Sequence, residues 1–208
     1  MTVYRSIQRQ ATRSIFSHST RAETLNKKGL DHAAEWFLKK YCPGALKDPH
    51  ALSVDEIYEK LGIQCRYAML PREILGVTYF SPHWATVCDG RGRNPSHEMV
   101  RENEVLLNYR LSESWMYNRR VETMIHEAVH IVMHGGYFRM RRLLGREEET
   151  AACCEADQGY QVKCRRTPEE WVEWQAASIA PRIRMNKDLV REEVRQYYPQ
   201  HGMDKAHR

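Results

Sequence analysis

A run of apolar residues at helical spacing, beginning at Asn118, constrains the fold of this chain more than any other feature. The run consists of Val121, Ile125, Ala128, Val129 and Val132. Residues that recur every three or four positions form one apolar face of an amphipathic helix. Gly135 and Gly136 follow the run and predict its end. We therefore expect a helix over 118–135 that packs one face against a core.

This helix contains the residues HEAVH at 126–130, which fit the pattern H-E-x-x-H. Four residues of α-helix return to within about 40° of the starting direction and rise about 6 Å, so His126 and His130 can bind one metal ion. Glu127 leaves the helix about 100° further round, where its carboxylate can act as a general base on water at that metal. The spacing indicates a zinc-dependent hydrolase, and the alternative is a helix that merely exposes two histidines.

A catalytic zinc needs a third protein ligand as well as an open position. His134 lies about 12 Å along the helix axis from His126, too far to share the ion. The metzincin spacing would place a third histidine at Gly136, so that pattern is excluded. Glu173, on a separate predicted helix, is the best candidate. The alternative is that Glu173 is one of several acids on a solvated face.

The helix that carries Glu173 has a strong start signal. Thr167 and Glu170 form a capping box, and Pro168 occupies the first helical position. We expect the helix to run to about residue 180, where Pro181 disturbs it. Its small-residue face, which would allow close approach to the first helix, consists of Ala176, Ala177 and Ala180.

The rest of the chain predicts an α+β domain with helices packed on a small mixed or antiparallel sheet. Apolar periodicity and stop signals predict two further helices, at 31–42 and 53–62. Short β-prone runs predict strands at 63–70, 74–80, 84–88 and 104–109, with a polar turn between the last two. The charged segment after the first metal helix predicts a helix over 142–154 followed by a loop to 166.

Charge is unevenly distributed, which bears on the domain boundaries. Residues 1–30 hold six basic groups against one acid, and they account for the whole formal net charge of +5. We interpret 1–29 as a basic flexible tail, with targeting or nucleic-acid contact as the alternatives. The metal-binding domain would span 30–186, and 187–208 would form a C-terminal helix and tail. Because the remaining chain is neutral, we do not expect direct nucleic-acid binding.

The cysteines and the hydropathy favour a cytoplasmic protein. Six cysteines without an export signal indicate reduced thiols. Cys153, Cys154 and Cys164 could suggest a second metal site, although they lack paired CxxC spacing and are more typical of packing or exposed thiols. No apolar stretch reaches the 18 or more residues that a membrane span requires, so no membrane partner is expected.

Two motifs resemble the ImmA/IrrE family of zinc metallo-endopeptidases. They are MIHEAVHIVMHGG and, further along the chain, EWQAASIAPRIRM. The family pattern is H-E-x-x-H-x-x-x-H followed by E-x-x-A-x-x-apolar-A and a Leu- and Met-rich run. The resemblance extends over about 30–186. The chain departs from the pattern in its RIRM ending and in a longer cysteine-containing insert at 144–166.

The resemblance implies a zincin-like fold in which Glu173 is the third zinc ligand. It also implies a protein substrate, typically an HTH-type repressor of a mobile element or stress locus, whose cleavage releases transcription. Candidates for stabilising the oxyanion, which the motifs do not identify, are His134, Tyr160 and the arginines at 182–184.

A non-proteolytic alternative is a regulatory module that binds a transcription factor or DNA and uses the metal structurally. The number of ligands argues against it, because structural zinc sites are usually closed by four ligands and only three are plausible here. A further alternative is DNA contact through the basic leader.

Overall fold

The computed structural model describes residues 25–88, 94–145, 151–155 and 167–201. The helices are α1 (Lys27–Tyr41), α2 (Val54–Leu61), α3 (Tyr117–Val129), α4 (Gly135–Leu143), α5 (Pro168–Arg184) and α6 (Lys187–His201). A π-helical segment, His130–His134, joins α3 to α4. The strands are β1 (Gln64–Ala68), β2 (Ile74–Tyr79), β3 (His83–Cys88), β4 (Pro95–Val100), β5 (Glu104–Asn108) and β6 (Ala151–Glu155).

Side-chain caps define where several helices begin. The Ser53 hydroxyl accepts a hydrogen bond from the Glu56 N–H at the start of α2. At the start of α5, Thr167 and Glu170 form the expected capping box with reciprocal hydrogen bonds. These bonds satisfy N–H groups that have no partner within the helix.

The main sheet is mixed, with strand order β1-β5-β2-β6. Strand β1 pairs with β5 in parallel, whereas β2 pairs with both β5 and β6 in antiparallel orientation. Strands β3 and β4 form a separate antiparallel ribbon in which His83 lies opposite Val100. Together with the helices, these sheets confirm the expected α+β class.

The core lies where α3 and α5 pack against each other. Helix α3 also contacts β2, and α5 also contacts α1. Buried residues at the centre of this packing are Phe37, Ile125, Ala128, Val129, Ala176, Ile179 and Ala180. Two of the three alanines predicted to face α3 are thus buried, but Ala177 is exposed. Small side chains at the contact allow the two helices to approach closely.

Two strands form where the sequence predicted other structure. Strand β4 occupies part of the stretch predicted as a polar turn, and its pairing with β3 replaces a loop. The helix predicted over 142–154 is wrong, because α4 ends at Leu143 and β6 follows at Ala151–Glu155. Pairing with β2 satisfies the backbone groups of β6, so tertiary context overrides the local helical pattern.

Two helices also run further than expected. Gly135 and Gly136 do not end the metal-site helix, because the chain continues through the π-helical segment into α4. Helix α5 continues past Pro181 to Arg184. A proline this close to the helix end removes one backbone hydrogen bond, while Ile183 beyond it is buried and Arg184 donates to Asn118.

Several predicted features fall outside the described part of the chain. These include residues 1–24 of the predicted basic tail, together with Tyr160 and Cys164. Helix α1 begins at Lys27, inside the range predicted as tail. Among the residues that the structure describes, no helix is long and apolar enough to cross a membrane.

Candidate metal centre

Two histidine side chains converge at the junction of α3 and the π-helical segment. His126 lies in the last turn of α3 and His130 is the residue that follows the helix. Their Nε2 atoms are 2.9 Å apart, and both side chains are buried. The helical spacing of four residues therefore brings the two imidazoles together, as the sequence predicts.

Glu173 approaches the same point from α5. Its Oε2 atom is 3.3 Å from the His126 Nε2 and 3.4 Å from the His130 Nε2. The packing of α5 on α3 thus brings together residues that are distant in sequence. In the described part of the chain, His126, His130 and Glu173 form a group that could hold a metal ion.

The distances within this group suit a tetrahedral zinc ion. Ligand atoms at normal zinc distances lie about 3.3 Å from each other at the corners of a tetrahedron. The three measured separations are 2.9, 3.3 and 3.4 Å. Two imidazoles and one carboxylate are also a ligand set that catalytic zinc uses, with one position left for a reactant.

The carboxyl group of Glu173 is held in its charged form. Burial alone would raise its pKa, but the neighbouring His130 and His126 imidazoles outweigh that effect and keep the pKa well below the usual range. An ionised carboxylate is the form that binds a metal cation. Glu173 is therefore ready to act as a ligand at neutral pH.

Glu127, which follows His126 on α3, is completely buried. Its Oε2 atom accepts a 2.6 Å hydrogen bond from the Thr78 hydroxyl on β2. Its Oε1 atom has no hydrogen-bond partner among the described residues. Burial raises the pKa of Glu127 to about 8, although His130 and Thr78 partly oppose this. A buried oxygen of this kind calls for a donor such as water or a substrate group.

Gly76 on β2 provides the space that Glu127 occupies. A Cβ atom at this position would lie 2.7 Å from the Glu127 Oε1 and 2.9 Å from the Thr123 Cγ2. Both distances are too short for any side chain to be accommodated without movement. The strand therefore approaches α3 closely because residue 76 has no side chain.

His134 lies beside the candidate ligands and is not one of them. Its Nδ1 atom is 3.1 Å from the His130 Nδ1, and its Nε2 atom is 3.2 Å from the Gln175 Oε1. Burial, followed by the effect of His130, lowers the pKa of His134 to about 3, so its imidazole is neutral near pH 7.

The arginines considered for the oxyanion have other contacts. Arg182 donates to Asp31 on α1, and Arg184 donates to Asn118 at the start of α3. Arg182 and Arg184 lie nine and eleven residues beyond Glu173 on α5, which is about 13 Å or more along the helix axis. An oxyanion role for these two side chains is therefore not supported by their positions.

Sequence reasoning missed the residues that support the site. Thr78 and Gly76 lie in a strand whose apolar pattern reveals only that it is buried. Gln175 lies two residues after Glu173, and a glutamine in an otherwise apolar and small-residue stretch was the one available signal. The roles of these three residues depend on which helices and strands pack against each other in the folded protein.

The fold and the site define a mixed α+β domain with a group of two buried histidines and one partly buried glutamate that could hold a metal ion. No family model, curated protein or solved structure matches this chain.

Proposed function

We propose that this protein is a zinc metallo-endopeptidase that hydrolyses a peptide bond in a protein substrate. His126, His130 and Glu173 would hold the zinc ion, and Glu127 would be the general base. One observation carries the proposal: three ligand atoms from two helices lie at tetrahedral separations beside a buried glutamate that has one oxygen without a partner. This arrangement supports a hydrolytic site more than a closed structural one, which would usually have four ligands.

A zinc ion held by these residues would supply a Lewis acid that polarises the scissile carbonyl and makes water more acidic. Glu127 would act in its ionised form, which a cation held at the neighbouring ligand group favours over the neutral form that burial alone favours. The Thr78 hydroxyl donates to its Oε2, which leaves the Oε1 to take the proton from water. The water oxygen then bonds to the carbonyl carbon. As the C–N bond breaks, Glu127 passes the same proton to the departing amine nitrogen, so the proton count balances.

The proposed substrate is an HTH-type transcriptional repressor of a mobile element or stress locus, cleaved in the cytoplasm. The motifs HEAVHIVMH and EWQAASIA support this class through their resemblance to ImmA/IrrE peptidases. The helix pair over a mixed sheet is compatible with the zincin-like fold that we propose.

Metal content tests the proposed site. We expect elemental analysis of the purified chain to give about one zinc per chain, since the described residues contain one group that could hold a metal ion. His126→Ala and Glu173→Ala should each abolish this zinc, whereas His32→Ala, a change outside the group, should retain it. Full zinc content in Glu173→Ala would contradict the ligand assignment.

Glu127→Gln separates metal binding from catalysis. The variant should keep its zinc but lose cleavage of a cognate repressor by about 10²-fold or more, because it cannot accept a proton. Glu122→Gln changes a partly exposed acid on the same helix and serves as the matched control. Cleavage by Glu127→Gln at the wild-type rate would contradict the assignment of Glu127 as the general base. Full activity of that variant in a transcription assay would instead favour the non-proteolytic regulatory module.

A further inference from the structure

We propose that His134 and Gln175 form a hydrogen-bond relay that fixes which ring nitrogen of His130 faces the metal. The inference rests on the zinc site proposed above. Neither residue belongs to the ligand group, so both are positioning residues that act through His130. Partners of this kind orient metal-binding histidines in many proteins.

The three side chains form a continuous chain of contacts away from the metal position. The His130 Nδ1 is 3.1 Å from the His134 Nδ1, and the His134 Nε2 is 3.2 Å from the Gln175 Oε1. All three residues are at least nine-tenths buried, with exposed fractions of 0%, 4% and 5%. Because they are buried, each polar ring atom depends on its protein partner.

If His130 binds the metal through Nε2, the position of the ring proton on both His130 and His134 follows. A neutral His130 that binds a metal through Nε2 must carry its proton on Nδ1. The His134 Nδ1 must then accept that proton, which places the proton of His134 on its Nε2. The Gln175 Oε1 atom accepts this second hydrogen bond. Gln175 therefore determines the tautomer of His134, and His134 determines that of His130.

The backbone explains why His134 reaches this position. It ends the π-helical segment, a wider helical turn that is common at functional sites. Gln175 lies on α5, the helix that also supplies Glu173. The relay therefore joins the same two helices as the ligands, and correct docking of α5 completes both the ligand group and its hydrogen-bond support.

Ring nitrogen NMR tests the proton assignment directly. In the full-length chain, stripped of metal by a chelator, we expect ¹⁵N shifts that place the proton of His134 on Nε2 and that of His130 on Nδ1. This measurement needs no activity and no substrate. A proton on the Nδ1 of His134 would overturn the relay.

The affinity for Zn²⁺ tests whether the relay supports the metal site. Gln175→Met keeps the size of the side chain but removes the acceptor, and it should weaken Zn²⁺ binding about 10- to 100-fold in a chelator competition assay. His134→Phe should weaken binding over the same range. Gln175→Glu restores an acceptor oxygen and should recover most of the affinity. Unchanged affinity in Gln175→Met would overturn the proposal.

Ile179→Val provides the matched control for damage to α5. Ile179 is fully buried on the same helix and belongs to the apolar core. The control should lower the melting temperature without changing Zn²⁺ affinity, whereas Gln175→Met should change the affinity. If the wild-type chain itself binds no Zn²⁺, the proposed metal site fails. Tight wild-type binding with no loss in Gln175→Met refutes the relay alone.

Discussion

At the scale of single residues, the position of the Glu127 carboxylate depends on two small residues whose roles no sequence pattern indicates. Thr78 donates to one of its oxygens, and Gly76 leaves room for the other. Both neighbours belong to β2, which packs against α3. The position of the proposed general base is therefore set jointly by a helix and by a strand.

Gly76→Ala should show how tight this contact is. The added methyl group would overlap the Glu127 carboxylate and the stiff β-branched Thr123 side chain, so we expect the free energy of unfolding to fall by about 1–3 kcal/mol. Urea unfolding measures this change. Gly136→Ala is the matched control, because outside its own helical turn no atom of the described residues lies within 4 Å of the added Cβ in α4. That variant should gain about 0.4–1 kcal/mol. An equal effect of both substitutions would contradict the crowding at Gly76.

At the scale of elements, α5 is connected to α1 as well as to α3. Asp31 on α1 accepts a 2.8 Å hydrogen bond from the Arg182 Nε and lies 3.4 Å from the Lys187 Nζ. The Arg182 hydrogen bond is the main reason why the pKa of Asp31 is below its ordinary value of 3.8. This contact therefore joins α1 to α5 and to the start of α6.

Asp31→Asn should reduce stability in a pH-dependent way. A carboxyl whose pKa is lowered by folding stabilises the protein above its ordinary pKa, and that stabilisation is lost as the pH falls through the folded value. We expect a loss of about 0.2–1 kcal/mol at pH 7 that becomes smaller at pH 3, which is below the ordinary pKa of the carboxyl. Thermal unfolding at both pH values measures the difference. Glu35→Gln, which breaks an exposed pair within α1, is the control, and a loss at pH 3 as large as at pH 7 would exclude the charge effect.

At the scale of the whole molecule, the proposed metal would connect parts of the chain that are far apart in sequence. The histidines come from α3 and from the π-helical segment that follows it. Glu173 comes from α5, which follows β6 in the sequence. The unfolded chain cannot hold these ligands together, so metal binding should favour the folded state.

Zinc should accordingly raise the stability of the whole domain. At a free zinc concentration of 100 times Kd, the free energy of unfolding should rise by about 2.7 kcal/mol. Thermal unfolding with and without zinc measures the shift. Glu173→Ala should lose most of it, while Glu169→Ala on the same helix should keep it. An undiminished shift in Glu173→Ala would show that zinc binds elsewhere.

The sequence by itself determined the features that depend on local geometry. The spacing of His126 and His130 follows from the pitch of a helix, and the start of α5 follows from its capping box. The α+β class and most strands follow from apolar periodicity. The sequence could nominate Glu173 but could not exclude a solvated acid, because its proximity to the histidines depends on helix packing.

Only the tertiary structure decided which segments become neighbours. It turned 151–155 into β6, since pairing with β2 outweighs a weak helical pattern. It also placed Gly76 and Thr78 against Glu127, and Gln175 against His134. The physical reason is that close approach and buried hydrogen bonds arise between elements that are distant in sequence. The sequence pattern indicates only the type and the buried face of each element.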